Sequence, residues 1–358
     1  MKPRLEIVGN LLLGIVSVVF ALTVAEVCLR VSNRLDPAFD QANPAAQIFA
    51  FSDNEEIGFE HVPNARVAFP ANRGNPAWQV STDANGVRRN GEASGSPAEI
   101  RGICIGDSIV FGAGLNDHQT IPAQLSDIVS RRLGRRFECL NFGVSNYTTA
   151  QEAAYFRHKR GLSYDPKIVV LGLYTNDFRT RPGSISVLRG RIELLSPDAP
   201  VGPVDTLSRL RLGAVLGSAI STIRDRLREQ GLYPRANEKP LRHEQTAAVN
   251  RALDQLRADL EADDVPLLIV LFPRDWQLSA PDQIAASPRQ QWVKRYCERN
   301  QIVCLDLLDH YFGLPVDSYF RKGDDSHPHA SAAKVIAELI AAEVVQILGS
   351  RSPEPVSE

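Results

Sequence analysis

The 358-residue sequence predicts an α/β fold, a three-layer α/β/α sandwich around a mainly parallel sheet, preceded by an N-terminal transmembrane helix. Three observations predict it. From about Ile100 onward, short β-branched apolar runs alternate with segments of helical apolar spacing, a rhythm that builds parallel sheets covered by helices on both faces. One of these runs, Ile168–Leu173, is apolar throughout, as a strand buried on both faces must be. Separately, Ile7 to Ala25 is an apolar stretch of nineteen residues. As helix it spans about 28 Å, close to the roughly 30 Å hydrocarbon core of a bilayer.

Residues 1–30 read as a membrane anchor. Lys2 and Arg4 precede the apolar stretch, and Glu26 and Arg30 follow it at i,i+4, where they can pair in the interfacial layer. A cleaved signal peptide needs small residues before the cut, which Thr23-Val24-Ala25 supplies only passably; a buried core helix would show a polar face. The short basic N-terminus favours a cytoplasmic start. That makes a single-pass protein with its large domain outside the cytoplasm, periplasmic in a Gram-negative cell.

Residues 31–98 are rich in Pro, Asn and Gly, with short apolar pieces such as Val67-Ala68-Phe69 and Trp78-Gln79-Val80. They read as a loop-rich or small β lead-in. The main domain, 99–350, opens with a strand at Ile100–Ile105, then a helix at Ile121–Leu133 that ends at Gly134. A strand at Phe137–Phe142, a helix at Thr148–Arg160 and the strand Ile168–Leu173 follow. Later come a helix near Glu244–Glu261, a strand at Pro266–Phe272, a helix near Pro288–Arg299, a strand at Ile302–Leu307 and a helix near Ala330–Leu348. Residues 178–240 interrupt this rhythm with eleven Lys/Arg against six Asp/Glu. Such an insertion forms a lid or binding wall, or a solvated basic amphipathic helix on the core, or a membrane-surface contact. Residues 351–358 are a flexible tail.

Composition excludes several classes. A formal net charge of -2 gives no reason to expect a nucleic-acid surface. Hydrophobic residues at 44% and charged residues at 23% exclude wholesale disorder. Five scattered cysteines do not make a disulfide framework: Cys104 and Cys139 fall in strand-like runs as small buried hydrophobes, while Cys297 and Cys304 could pair in an exported domain. No cysteine pair has zinc-ligand spacing, and no cofactor is implied.

Ligands of open α/β sheets bind at the carboxyl ends of the strands, so residues just after strands come first. Gly106-Asp107-Ser108 follows Ile100–Ile105, where a glycine permits a tight turn that projects the serine at the sheet edge. Asn141-Phe142-Gly143 closes the next strand; a glycine there lets a backbone N–H approach a reacting oxygen. Tyr174-Thr175-Asn176-Asp177 closes the buried strand, and the Asn176 amide can donate to an oxyanion, although Asn-Asp is also ordinary turn chemistry. Asp324-Asp325-Ser326-His327-Pro328-His329 precedes the last helix. A carboxylate three residues before a histidine can hold Nδ1–H and leave Nε2 free as a base. The same cluster also reads as a helix N-cap, or as a metal site of Asp324, His327 and His329.

These four segments, in this order, resemble the four blocks of the SGNH (GDSL) hydrolase family, over about Ile100 to Leu348. The resemblance implies a flavodoxin-like sandwich and an esterase that cleaves an ester of a lipid, glycan or small molecule. It implies Ser108 as nucleophile, His327 as base and Asp324 as its orienting partner. It further implies an oxyanion hole from the N–H groups of Ser108 and Gly143 and the side chain of Asn176. Tyr174 departs from the family's Gly-x-Asn-Asp, and Asp325 is a second carboxylate before His327. The lead-in is similar to membrane-anchored bacterial members at Pro63-Asn64 and Asn85-Gly86-Val87-Arg88, a stretch with no role to transfer. Two other functions share the fold: O-acyl transfer onto an envelope polysaccharide by the same triad, and a binding protein without activity. Protein partners are not specified by the sequence.

Overall fold

The computed structural model describes residues 44–71, 75–91, 97–180, 182–188, 191–195, 241–278, 287–321 and 326–351, with 17, 20–25, 27 and 28 near the N-terminus. Two compact units divide the chain. One comprises 42–185, 194–197 and 238–358; the other comprises 1–41, 186–193 and 198–237. The lead-in, the central sheet and the candidate site belong to the first. Most of 1–30, most of 178–240 and Asp324 lie outside the described residues. Among the described residues no helix is long and apolar enough to cross a membrane.

The lead-in is built from two antiparallel pairs. Strand β1 (Phe49–Phe51) pairs β2 (Phe59–His61), and β3 (Arg66–Phe69) pairs β4 (Trp78–Ser81). Their alternation is that of half-buried strands: Val67 and Val80, opposite each other, are buried, while Arg66 and Ala68 face solvent. Thr82 and Arg88 make an isolated bridge, and Arg88 makes a second with Asn141. Asn90 Nδ2 also donates to the Cys139 carbonyl at 2.6 Å. The lead-in thereby covers part of an edge that would otherwise expose unpaired backbone groups.

The central sheet comprises β5 (Ile100–Gly106), β6 (Phe137–Gly143), β7 (Pro166–Leu173), β10 (Leu267–Leu271) and β11 (Val303–Asp306), all pairs parallel. A separate ribbon of β8 (Ser184–Leu188) and β9 (Arg191–Leu195) lies between β7 and β10 in sequence. The spatial order is β11-β10-β7-β5-β6. The chain therefore builds outward from β5 to β6, returns across β5 to β7, and continues to β10 and β11. The direction of winding reverses between β5 and β7. At such a switch point the helices leaving the strand ends diverge to opposite faces and open a crevice. Ile168, Val169 and Leu171 in β7 and Leu268, Ile269 and Val270 in β10 are all fully buried. Each such side chain contributes about 1.5–3 kcal/mol from burial.

Besides three short helical turns at Pro44–Ile48, Asp275–Leu278 and Leu308–Tyr311, the helices of this domain among the described residues are α1 (Ser108–Phe111), α2 (Ile121–Leu133), α3 (Thr149–His158), α4 (His243–Glu261), α5 (Pro288–Asn300) and α6 (Ala330–Arg351). Helix α2 starts at Thr120, whose hydroxyl accepts from Ala123 N–H at 3.3 Å, and stops at Gly134 in the left-handed region. It packs on α6, whose buried stripe of Ala333, Ile336, Ala337, Ile340, Ala341 and Val344 follows helical spacing. Helices α3 and α4 pack on each other. Helix α3 is shorter than the expected Thr148–Arg160, because Arg160 turns left-handed at φ 52° and starts a separate 3₁₀ turn, Gly161–Tyr164. Helix α6 runs past the expected Leu348, its last residue held by Asp264 through an ion pair of 3.0 Å to Arg351. Cys297 and Cys304 are free thiols, as are Cys104 and Cys139.

Candidate active site

Ser108 is the first residue of α1, immediately beyond the end of β5 at the switch point. The turn is capped at its start by Asp107, whose carboxylate accepts from Ile109 N–H at 2.9 Å, and it ends at Gly112 with φ 84°. Gly106 is required for a different reason than the expected tight turn. Its backbone is not left-handed, but a Cβ there would fall 2.9 Å from Val110 Cβ and 3.1 Å from the Gly172 carbonyl oxygen. The turning residue is Gly112; Gly106 lets the turn close down onto the sheet.

Gly143, at the end of β6, sits directly beneath this turn. A Cβ at 143 would lie 2.7 Å from both Phe111 Cα and Val110 C, so only glycine fits. Its N–H donates to Asn141 Oδ1 at 3.0 Å, so the expected oxyanion donor already has an internal acceptor. Of the third segment, Tyr174 is buried, with its N–H donating to the Asp177 carboxylate and the Arg274 guanidinium 5.9 Å from its ring. Asn176 lies in the 3₁₀ turn Thr175–Phe178, at the end of β7, while its side chain falls outside the described residues.

The fourth segment comes to the same end of the sheet. His327 Nε2 is 2.8 Å from Ser108 Oγ, across 219 residues of sequence. The His327 carbonyl accepts from Arg321 N–H at 3.0 Å, and Phe320 and Pro328 bridge, so the chain is held at the histidine and just after it. His329 has the other role foreseen for this cluster. Its Nδ1 accepts from Ala332 N–H at 3.1 Å, capping α6, and its Nε2 meets the Asp317 carbonyl at 3.1 Å. With both ring nitrogens used, His329 has no lone pair to offer the metal site considered with Asp324 and His327. Among the described residues no group of three His, Cys, Asp or Glu could hold a metal ion.

A buried acid pair behind the strand ends had no counterpart in the sequence reading. Glu152 of α3 and Asp177 of the 3₁₀ turn are 0% and 1% exposed, and the Asp177 charge bears on Glu152. Asp107 adds a third negative charge nearby. Burial, then the neighbouring carboxylates, pushes both Glu152 and Asp177 well above the ordinary carboxyl range. Asp177 was legible only as part of Asn-Asp turn chemistry; an acid in a helix carries no signal of its buried partner.

The pair makes stability depend on pH. The folded state keeps a proton that the unfolded chain releases above the ordinary glutamate value of 4.5. Stability is therefore complete below that value and falls as pH rises toward the raised folded-state value, by up to about 1.4 kcal/mol per pH unit. Glu152→Gln supplies the hydrogen-bond donor without the titration. It is expected to match or trail the wild type near pH 4.5 and to exceed it at pH 8 in urea unfolding. A difference that does not change with pH would contradict the raised carboxyl pKa.

A doubly wound sheet with a serine and a histidine in hydrogen-bond contact at its switch point defines the class of esterase-like hydrolases. The chain belongs to the GDSL-like Lipase/Acylhydrolase family, whose profile matches residues 104–335. Among solved structures it is similar to the psychrotrophic esterase EstA from a Pseudoalteromonas species. Identity is 12%, over 70% of this chain and 100% of that one, with a TM-score of 0.41. It is also similar to an alpha/beta hydrolase enzyme from the metagenome of Lake Arreo. Identity there is 18%, over 72% of this chain and 99% of that one, with a TM-score of 0.42. No curated protein sequence matches the chain.

Proposed function

We propose that this protein is a membrane-anchored serine esterase whose nucleophile is Ser108 and whose general base is His327. The observation that carries the reading is the 2.8 Å contact between Ser108 Oγ and His327 Nε2. That distance is within reach for proton transfer as the hydroxyl attacks. Asp324 orients His327 through Nδ1–H. The N–H groups of Ser108 and Gly143 and the Asn176 amide receive the oxyanion, for which the Gly143 N–H exchanges its Asn141 acceptor for substrate.

In the first half-reaction Oγ bonds to the ester carbonyl carbon while its proton passes to His327 Nε2. The tetrahedral oxyanion forms against the three donors, one of which is typically worth about 3 kcal/mol of barrier. The carbon–oxygen bond to the leaving alcohol then breaks, and the alcohol takes the proton from Nε2. Water repeats the sequence on the acyl-serine and releases the carboxylic acid. Residues 7–25 tether the domain outside the cytoplasm.

One experiment tests activity and location together. Cells expressing the full chain are expected to carry short-acyl esterase activity in the membrane fraction, which becomes soluble when residues 1–30 are deleted. Activity already soluble with the full chain removes the anchor, and activity in neither fraction removes the esterase. Adding a polysaccharide acceptor to the same assay separates hydrolysis from acyl transfer, since transfer yields acylated glycan in place of free acid.

A further inference from the structure

Arg88 lies in the Asn85-Gly86-Val87-Arg88 stretch, outside the family match at 104–335. Its side chain is 0% exposed. A guanidinium buried without partners would be strongly unfavourable, so the destinations of its five N–H donors are informative. Nη1 donates to the carbonyls of Phe111 and, at 2.9 Å, of Gly112. Nη2 donates to the Leu115 carbonyl at 2.6 Å and reaches the Gln79 carbonyl at 3.5 Å. Nε donates to Asp117 Oδ1 at 3.2 Å. The Phe111 ring lies 4.5 Å from the guanidinium carbon. The Phe111, Gly112 and Leu115 carbonyls lie at the end of α1 or in the loop that leaves it, and Asp117 opens the next 3₁₀ turn.

A one-turn helix does not hold itself together. Nucleation is unfavourable, and its last carbonyls have no intrahelical partners. In α1 the first end is held by Asp107, and the last end is held by Arg88 with help from Asn141 Nδ2, 3.3 Å from the Phe111 carbonyl. The groups facing Arg88 fit this duty. Asp117 balances its charge and is itself fixed by Ser81, through N–H at 3.1 Å and Oγ at 2.6 Å. His61, whose ring packs 4.9 Å from Phe111, adds no second cation: burial, then Arg88 itself, pushes it down to about 3.

We infer that Arg88 is a positioning residue for Ser108: by fixing the last end of the α1 turn from the lead-in, it holds Ser108 Oγ in line with His327. The inference rests on the serine-esterase reading, since it assigns Arg88 a duty toward that nucleophile. Arg88 touches neither the Ser108 hydroxyl nor the His327 ring, so its loss should change kcat and leave KM for a small ester alone. A nucleophile displaced by about 1 Å loses on the order of 10²-fold in rate.

The test is the fluorophosphonate labelling rate of the full chain, expressed per folded molecule, with kcat and KM for a short ester alongside. Arg88→Ala is expected to label about 10²-fold more slowly than wild type, with KM changed less than about threefold. Arg88→Lys keeps the charge but not the planar fork that reaches several carbonyls, and should recover part of the rate. Val80→Ala, a truncation in the same lead-in core, should lower the thermal midpoint yet label like wild type. If Arg88→Ala does not fold, Arg88→Lys decides the matter by the same ratio. Labelling of the Arg88 variants at the wild-type rate, or a rise in KM with kcat unchanged, overturns the inference while leaving the esterase intact. Failure of the wild type itself to label overturns the esterase reading and this inference with it.

Discussion

Ser108→Ala is expected to abolish fluorophosphonate labelling and to lower kcat for ester hydrolysis by roughly 10⁴- to 10⁶-fold, the range seen when a serine–histidine unit loses its nucleophile. The change removes one oxygen from a partly exposed position at the start of a one-turn helix. The remaining hold on that turn does not involve the hydroxyl. Asp107 caps Ile109 N–H, Gly143 packs beneath Phe111 and Arg88 closes the far end. Stability should therefore change by no more than about 1 kcal/mol, the worth of one hydrogen bond. The pairing of a lost reaction with an unchanged melting curve is the diagnostic result. Undiminished turnover in the variant would mean that another group carries the chemistry.

His327→Ala should cost about as much. With Nε2 gone, nothing at 2.8 Å takes the serine proton, and an uncharged hydroxyl is a weak nucleophile. Residues that act as a unit are not additive, so Ser108→Ala/His327→Ala should be no slower than either single variant. His329→Ala is the matched comparison. That histidine caps α6 through Nδ1 and makes no contact with Ser108, so its loss should lower stability by about 1 kcal/mol and spare kcat. Were His329→Ala as inactive as His327→Ala, the division of labour between the two histidines would be wrong.

Much of this architecture is legible in the linear pattern. The continuous apolar run of β7 and the glycine-terminated periodicity of α2 depend on local features, and both elements appear where expected, to within two residues. Boundaries shifted where a distant group intervened, as with Asp264 extending α6 to Arg351. In the candidate site, the nearness of Ser108 to His327 followed from placing both segments at strand ends. The burial of Glu152 against Asp177 did not, because an acid in an amphipathic helix looks the same whether it faces water or another acid. The positions of Asp324 and of the Asn176 side chain fall outside the described residues.

The five central strands and the long helices were readable in the linear pattern, because side-chain periodicity and glycine placement are local properties of the chain. Only the closed chain set the strand order β11-β10-β7-β5-β6 and the reason Gly106 and Gly143 lack a side chain. It alone brought Arg88 from the lead-in to the carbonyls behind the nucleophile. These are contacts between residues tens to hundreds apart in sequence. They are selected by the shared need to fill space and satisfy buried polar groups, and that need is met only once the chain has closed on itself.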